Sequence, residues 1–214
     1  MSRIVLATAA SVIALLGASP SLAAALNGTV WTGLSDAQAA DASVLPPNSL
    51  AHANFNPGVI DYESGPSPYT VAGFLNNPTF TNLANGFDPN GTAQNIFLEI
   101  TGTIGLNAGL NHFQLGHDDG AVLSVAGFGT VLSAPGPTSL DLSEFDITNP
   151  GAAGNFAFDL KYTECCGPPA DLIFTINDVN VGGVPEPATW ALMLLGFGAV
   201  GYGLRRHKIA LAAA

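Results

Sequence analysis

The segment NHFQLGHDDGAVLSVA, residues 111–126, carries the pattern from which the fold of this 214-residue chain can be argued. Two apolar runs flank Asp118, Asp119 and Gly120, which predicts two β-strands joined at this point. A hairpin turn alone would explain the three residues, because glycine adopts the left-handed conformation and aspartate side chains bond the amides of turns. The pattern therefore predicts a hairpin, with both carboxylates in a solvated turn.

Alternation of apolar and polar residues recurs along the chain and predicts an all-β domain. In residues 156–162 the aromatic and aliphatic positions share one face, while Asp159 and Lys161 point outward. No segment between the two ends keeps an apolar repeat of about 3.6 residues, and turn-forming residues recur every few positions. An antiparallel sandwich or barrel is the expected architecture. The remaining strands are predicted at 29–33, 59–62, 69–74, 95–104, 112–115, 122–126 and 172–177, and long loops at 35–58 and 76–94.

Asp118 and Asp119 also form a candidate cation site. Two adjacent carboxylates at a strand end direct several hard oxygen atoms to one point, which suits Ca²⁺. Their mutual repulsion is costly, and a divalent cation would relieve it. The spacing alone leaves two interpretations open, a turn without a ligand and a cation site.

The wider context of the aspartate pair resembles the PA14 family. Residues 113–123 are similar to that family's pattern of an aromatic strand, Asp-Asp-Gly and an apolar strand. Residues 158–164 and 170–174 resemble its closing pair of strands, and Trp31 fits its aromatic opening. The resemblance spans residues 28–180 and implies a PA14-like β-sandwich, a fold found in bacterial glycosidases, toxins and yeast adhesins.

The resemblance also implies a ligand set. In lectin-type PA14 members the aspartate pair is joined by a cis peptide and holds Ca²⁺, which bridges to vicinal sugar hydroxyls. Here the pair would be Asp118 and Asp119. The family's Asn ligand matches Glu164, and backbone carbonyls would come from residues 165–167. Glutamate keeps an oxygen ligand but adds charge, so the resemblance implies metal binding more firmly than sugar binding.

Cys165 and Cys166 are the only cysteines of the chain. In an oxidising compartment they suggest a vicinal disulfide that would stiffen the loop 164–169. Adjacent Cα atoms lie about 3.8 Å apart, below the usual range for a disulfide. Two alternatives therefore remain: a pair of free thiols that binds a soft metal, and disulfides between molecules. A redox-active centre is not expected, because no Cys-x-x-Cys motif is present.

The first 25 residues predict a secretory signal peptide. A basic start is followed by an apolar helix from Ile4 to Gly17 and by small residues that signal peptidase can cleave. A retained anchor is the alternative, but the apolar run is short for a permanent membrane span.

The other end of the chain has three features in a fixed order. Val184, Pro185, Glu186 and Pro187 precede 17 uncharged residues, and a basic cluster that begins with Arg205 and Arg206 follows. The uncharged segment predicts a transmembrane helix whose basic end stays in the cytoplasm.

This order resembles the tail of PEP-CTERM proteins, in which the membrane protease exosortase is thought to cut near Pro-Glu-Pro. The resemblance implies transient anchoring in the inner membrane of a Gram-negative bacterium, and then delivery to the cell surface, outer membrane or biofilm matrix. The chain then divides into a signal peptide at 1–25, a β-domain at 26–183, a sorting segment at 184–208 and a short tail at 209–214.

The charge of residues 26–183 limits the partners of the β-domain. Lys161 is its only Lys or Arg, whereas all 16 Asp and Glu of the chain except Glu186 lie in it. Nucleic acids and anionic surfaces require cationic contacts and are excluded as partners. Divalent cations and neutral glycans remain.

Three functions compete: a noncatalytic module that binds a glycan through Ca²⁺, a structural matrix protein without a small ligand, and a glycoside hydrolase. Hydrolysis requires two separated carboxyl groups, one of them with a raised pKa in an apolar pocket, whereas a solvated aspartate pair suits cation binding better. His52, His112 and His117 lack zinc spacing. We therefore expect that the protein is not an enzyme. We expect it to bind calcium and an extracellular glycan, and to be processed by an exosortase-type protease.

Overall fold

The computed structural model describes residues 26–63, 69–167, 169–182, 193 and 196–198. The predicted signal peptide lies outside these residues, as does most of the predicted membrane helix. Within the described ranges, no helix is both long and apolar enough to cross a bilayer.

The described residues are mostly β-strand, with two one-turn helices. The elements in chain order are β1 (Asn27–Thr32), α1 (Asp36–Ala39), β2 (Ala51–Phe55), β3 (Asp61–Glu63), α2 (Val71–Phe74), β4 (Phe80–Ala84), β5 (Ile96–Leu106), β6 (Gly109–Asp118), β7 (Gly120–Val125), β8 (Gly129–Ala134), β9 (Asp141–Asn149), β10 (Gly154–Glu164), β11 (Asp171–Ile176) and β12 (Val179–Asn180).

The strands form two antiparallel sheets. The large sheet has the order β4-β2-β1-β5-β10-β7-β8, and the small sheet has the order β12-β11-β6-β9, with β3 paired to β11. Every strand pairing recorded in the two sheets is antiparallel. The predicted all-β antiparallel fold is confirmed.

The core lies between the two sheets, because each presents its apolar positions to the other. Ile100 on β5 pairs with Leu160 on β10, and neither side chain is exposed. Phe158 of the large sheet meets Phe174 of the small sheet edge to face, with ring centroids 5.9 Å apart. Each such buried side chain contributes about 1.5–3 kcal/mol, so the alternation in β5, β10 and β11 fixes which face of each strand points inward.

The hairpin predicted at Asp118–Gly120 is wrong. β6 belongs to the small sheet and β7 to the large sheet, so the chain crosses from one sheet to the other at these residues. The carboxylates are consequently not in a solvated turn, since Asp118 is 6% exposed and Asp119 is 5% exposed.

Other differences involve short or exposed elements. The strand predicted at 69–74 is wrong: Thr70 makes an isolated bridge to Thr92 and caps α2, since its hydroxyl accepts the N–H of Gly73 at 3.0 Å. The loops predicted at 35–58 and 76–94 contain β2 and β4, and β8 and β9 were not predicted.

Candidate metal centre

The crossover between the sheets places Asp118 and Asp119 beside the end of β10. Asp118 is the last residue of β6 and pairs with Asp171 of β11, whereas the backbone N–H of Asp119 donates to the carbonyl of Thr163 on β10 at 3.3 Å. The peptide bond between Asp118 and Asp119 is cis, in agreement with what the PA14 resemblance implies. Both carboxylates therefore lie where β6, β7 and β10 meet.

Gly120 allows this close approach of chains. A Cβ atom at this position would lie 2.2 Å from the carbonyl oxygen of Pro135 and 2.8 Å from Oγ1 of Thr163. Any side chain would force the connection after β8 away from the crossover, so the Gly of the Asp-Asp-Gly motif is required by packing.

Glu164 lies close to Asp118 and Asp119 in the folded chain. It is the last residue of β10 and its side chain is fully buried. One ligand atom each from Asp118, Asp119 and Glu164 lies within 4.8 Å of the others, and this is the one such group of three found in the described part of the chain. The three residues expected to hold a cation thus lie together.

The Asp119 side chain is held in place by backbone donors. Its Oδ2 accepts the N–H of Cys165 at 2.8 Å, and its Oδ1 accepts the N–H of Thr138 at 3.1 Å. The ring of His117 is fully buried, and its Nδ1 lies 2.6 Å from the carbonyl oxygen of Asp119. Segments before β9 and after β10 therefore fix this carboxylate from two sides.

Two tyrosine hydroxyls contact Glu164. Tyr69 donates to Oε1 at 2.9 Å, whereas the hydroxyl of Tyr162 lies 3.4 Å from Oε2 and also donates to the carbonyl of Asp118. Burial is the main cause that raises the pKa of both phenols, so each is a neutral donor at ordinary pH.

The cluster carries more negative charge than its surroundings can balance. Burial is the main cause that raises the pKa of Glu164 to about 9. The charges of Asp119 and Asp118 act in the same direction, whereas the hydrogen bond from Tyr69 opposes the rise. Burial also raises the pKa of Asp118, with further contributions from Asp119 and Asp171. The pKa of Asp119 is raised by burial, and the N–H groups of Cys165 and Thr138 partly oppose this.

No Lys or Arg among the described residues pairs with these carboxylates, and the nearby His117 is only the smallest of the causes that lower the pKa of Asp118 and Asp119. Lys161 is the only Lys or Arg between residues 26 and 183, and its Nζ lies 3.3 Å from Asp159. Three hard carboxyl oxygen ligands without a Lys or Arg partner fit a hard divalent cation, because Ca²⁺ prefers carboxylate donors and would replace the proton of Glu164.

Cys165 and Cys166 are joined by a disulfide, and no free cysteine is present. Cys165 is buried in a small apolar cluster with Trp31 and Phe97, whereas Cys166 has a positive φ of 68°. The bond therefore lies in the loop that supplies an N–H donor to Asp119.

Several groups around the site were not predicted as part of it. Neither the backbone of Thr138 nor the hydroxyl of Tyr69 gives a signal in the sequence, because both come from segments remote from the motif. His117 lies in the motif, but only the structure shows its contact with the Asp119 carbonyl. The two other histidines of residues 26–183 lie elsewhere: His52 beside Trp31, and His112 2.9 Å from Asp146.

The comparisons with known proteins concern the two parts of the chain separately. A family model of the PEP-CTERM protein-sorting motif matches residues 183–207, which include Val184–Pro187 and Arg205-Arg206. Most of the matched residues lie outside the described ranges, so the match rests on their sequence. No curated protein matches the chain. The chain carries a PEP-CTERM sorting motif, as predicted.

The described β-domain is similar to two solved PA14 domains. One is the PA14 domain of the MpAFP antifreeze protein, with 18% identity and a TM-score of 0.54 over 78% of this chain and 91% of that one. The other is a PA14 sugar-binding domain from an RTX adhesin, with 20% identity and a TM-score of 0.50 over 76% of this chain and 93% of that one. The PA14-like fold is confirmed.

Proposed function

We propose that this chain, which has a PA14-like fold and a PEP-CTERM sorting motif, is an exported and noncatalytic module that binds a neutral glycan through Ca²⁺. The observation that carries the proposal is the convergence of one ligand atom each from Asp118, Asp119 and Glu164 within 4.8 Å, with no Lys or Arg among the described residues to balance them. Such a cluster is costly in the metal-free protein and favourable around a divalent cation.

The two aspartates form the edge of the site that is nearest to solvent. Glu164 is fully buried, whereas Asp118 and Asp119 keep 6% and 5% of their surface exposed. In this proposal an ion among the three has Glu164 on its buried side, and a ligand from solvent approaches it past the two aspartates. Vicinal sugar hydroxyls are neutral oxygen ligands and suit that side of the ion.

The RTX adhesin domain of similar fold is described as sugar-binding, which supports a carbohydrate as the ligand of this chain. The acidity of residues 26–183 disfavours anionic polysaccharides, because like charges repel. A neutral extracellular glycan is therefore the proposed ligand.

The same carboxylates do not suit glycoside hydrolysis. The raised pKa of Glu164 is a property of a general acid, but its side chain is fully buried. One ligand atom of each carboxyl group also lies within 4.8 Å of those of the other two, which is closer than the separation of about 5–9.5 Å between the two carboxyl groups of hydrolases. Cation binding explains the cluster better than acid catalysis.

The sorting motif supports export and processing by an exosortase-type protease. In this proposal residues 1–25 are the signal peptide, 26–183 the working domain, 184–208 the sorting and transient membrane-anchor segment and 209–214 a short tail. The destination is the cell surface, outer membrane or matrix of a Gram-negative bacterium.

Calcium-dependent stability tests the cation site. For the full-length protein we expect Ca²⁺ at about 100 times its dissociation constant to contribute about 2.7 kcal/mol, which raises the melting temperature by roughly 5–10 °C. The double variant Asp118→Ala, Asp119→Ala should lose this rise. The control Glu144→Gln, Asp146→Asn removes two exposed charges from β9 and should keep it.

A glycan array read with Ca²⁺ and with EDTA tests the ligand. Binding that disappears in EDTA and in the aspartate double variant is expected. Calcium-dependent stability without any glycan signal would instead favour the structural matrix protein, and absence of calcium stabilisation would contradict the cation site itself.

A further inference from the structure

Tyr69 reaches the candidate cation site from a distant part of the chain. Its hydroxyl donates to Oε1 of Glu164 at 2.9 Å, although the two residues are 95 positions apart. Tyr69 precedes α2, which belongs to neither sheet and contributes none of the three carboxylates.

The backbone of Tyr69 is anchored, so the position of its hydroxyl is defined. Its carbonyl accepts the N–H of Ala93 at 3.0 Å, and the next residue, Thr70, bridges to Thr92. Its ring packs on the buried Phe74, with centroids 6.4 Å apart, and Phe74 in turn packs on Tyr162 at 6.0 Å. The short segment that begins at Tyr69 therefore acts as a fixed support for Glu164.

Tyr162 does not replace this support. It has one hydroxyl proton, which it donates to the carbonyl of Asp118, and its distance to Oε2 of Glu164 is 3.4 Å. Oε1 is thus the Glu164 oxygen with the short hydrogen bond, whereas Oε2 has only the long, 3.4 Å contact from Tyr162.

We propose that Tyr69 is a positioning residue of the cation site, which holds Glu164 by Oε1 and leaves Oε2 to bind the ion. This inference rests on the proposed function, because it assumes that the three carboxylates bind a divalent cation. Partners that orient metal ligands typically contribute 10- to 100-fold to metal affinity. The segment from Tyr69 through α2 thereby becomes part of the site.

Tyr62 provides a matched control for Tyr69. Both rings pack on Phe74, at 5.8 and 6.4 Å. The hydroxyl of Tyr62, however, is buried without a hydrogen-bond partner among the described residues. Tyr69→Phe and Tyr62→Phe therefore each remove one oxygen and keep a ring on Phe74, but only the first removes a bond to Glu164.

The test measures Ca²⁺ affinity by calorimetry on the full-length wild type and both variants. Tb³⁺ luminescence lifetimes in H₂O and D₂O then count the water molecules on a bound ion. We expect Tyr69→Phe to bind Ca²⁺ about 10-fold more weakly and to admit additional water onto Tb³⁺, since Glu164 is released. Tyr62→Phe should match the wild type in both measurements. Melting curves in EDTA establish that each variant is folded.

Each other outcome overturns the inference in a recognisable way. If the wild type binds Ca²⁺ and Tyr69→Phe binds it equally well, Tyr69 does not position Glu164, although the proposed function stands. If both variants weaken binding equally, the effect comes from packing on Phe74. If the wild type binds neither Ca²⁺ nor Tb³⁺, the proposed function and the role of Tyr69 both fail.

Discussion

The substitution Glu164→Gln separates two effects of the buried Glu164: the loss of folding stability in the metal-free protein and the contribution to cation binding. Burial raises the pKa of Glu164 from 4.5 to about 9, so the folded, metal-free protein keeps a proton that the unfolded chain releases above pH 4.5. A group of this kind contributes its full stability below its unfolded pKa and loses it as the pH rises toward its folded pKa. Glutamine resembles the protonated acid in shape but has no proton to take up.

The pKa change sets the expected magnitude. Since pH 7 lies 2.5 units above the unfolded value of 4.5, protonating Glu164 during folding costs about 3 kcal/mol at 1.36 kcal/mol per unit. This figure is an upper limit, because the charges of Asp118 and Asp119 share in the shift. Glu164→Gln should therefore raise the melting temperature of the metal-free protein by up to roughly 10 °C at pH 7. At pH 5 the gain should fall below about 1 kcal/mol.

The assay is thermal unfolding of the full-length protein in EDTA at pH 5, 7 and 8. Glu144→Gln, which alters an exposed glutamate on β9, is the matched control and should change stability little at any pH. With saturating Ca²⁺ at pH 8, the wild type should instead have a higher melting temperature than Glu164→Gln. The ionised Glu164 binds the cation more strongly than a neutral amide does.

One result would refute this reasoning directly. If Glu164→Gln in EDTA is no more stable than the wild type at pH 8, or if its advantage does not shrink at pH 5, Glu164 is not protonated in the metal-free fold.

Two further predictions concern the support of the site. Gly120→Ala should cost about 1–3 kcal/mol in denaturant unfolding, because its Cβ would lie 2.2 Å from the Pro135 carbonyl. Gly136→Ala, with no atom within 4 Å of its Cβ, should be tolerated, and equal losses in the two variants would contradict the packing argument. Reducing Cys165–Cys166 should weaken Ca²⁺ binding measured by calorimetry, since Cys165 donates to Asp119. The melting temperature in EDTA should hardly change, because the bond closes almost no loop; unchanged affinity would show that the loop needs no disulfide.

The long paired strands could be predicted because their burial pattern is a property of the sequence. Burial alternates along the central residues of β5 and β10, and these positions bury large side chains such as Ile100 and Leu160. β4 could not be predicted in this way, since all five of its residues are partly or fully exposed at the edge of the large sheet. In β9, Leu142 points outward and is 58% exposed, so its apolar residues do not mark one face.

At the motif Asp118-Asp119-Gly120, the local sequence pattern is not sufficient to predict how the two flanking strands pair. Two strands separated by a short turn-forming segment look the same whether they pair with each other or enter different sheets. The choice is made by distant partners: β11 and β9 bind β6, whereas β10 and β8 bind β7. The resemblance to PA14 domains placed Glu164 near the pair, but Tyr69 approaches through tertiary packing that no motif records.

The crossover also gives the proposed cation site its physical basis. A hairpin would leave Asp118 and Asp119 in water at the end of one sheet, where their charges cost little. Crossing between the sheets instead brings them against the end of β10, where Glu164 is fully buried and the N–H groups of Thr138 and Cys165 enclose Asp119. Each buried charge without a counter-charge costs several kcal/mol. Neutral side chains of similar size would avoid that cost, so stability alone gives no reason for three acids here, whereas binding a divalent cation does.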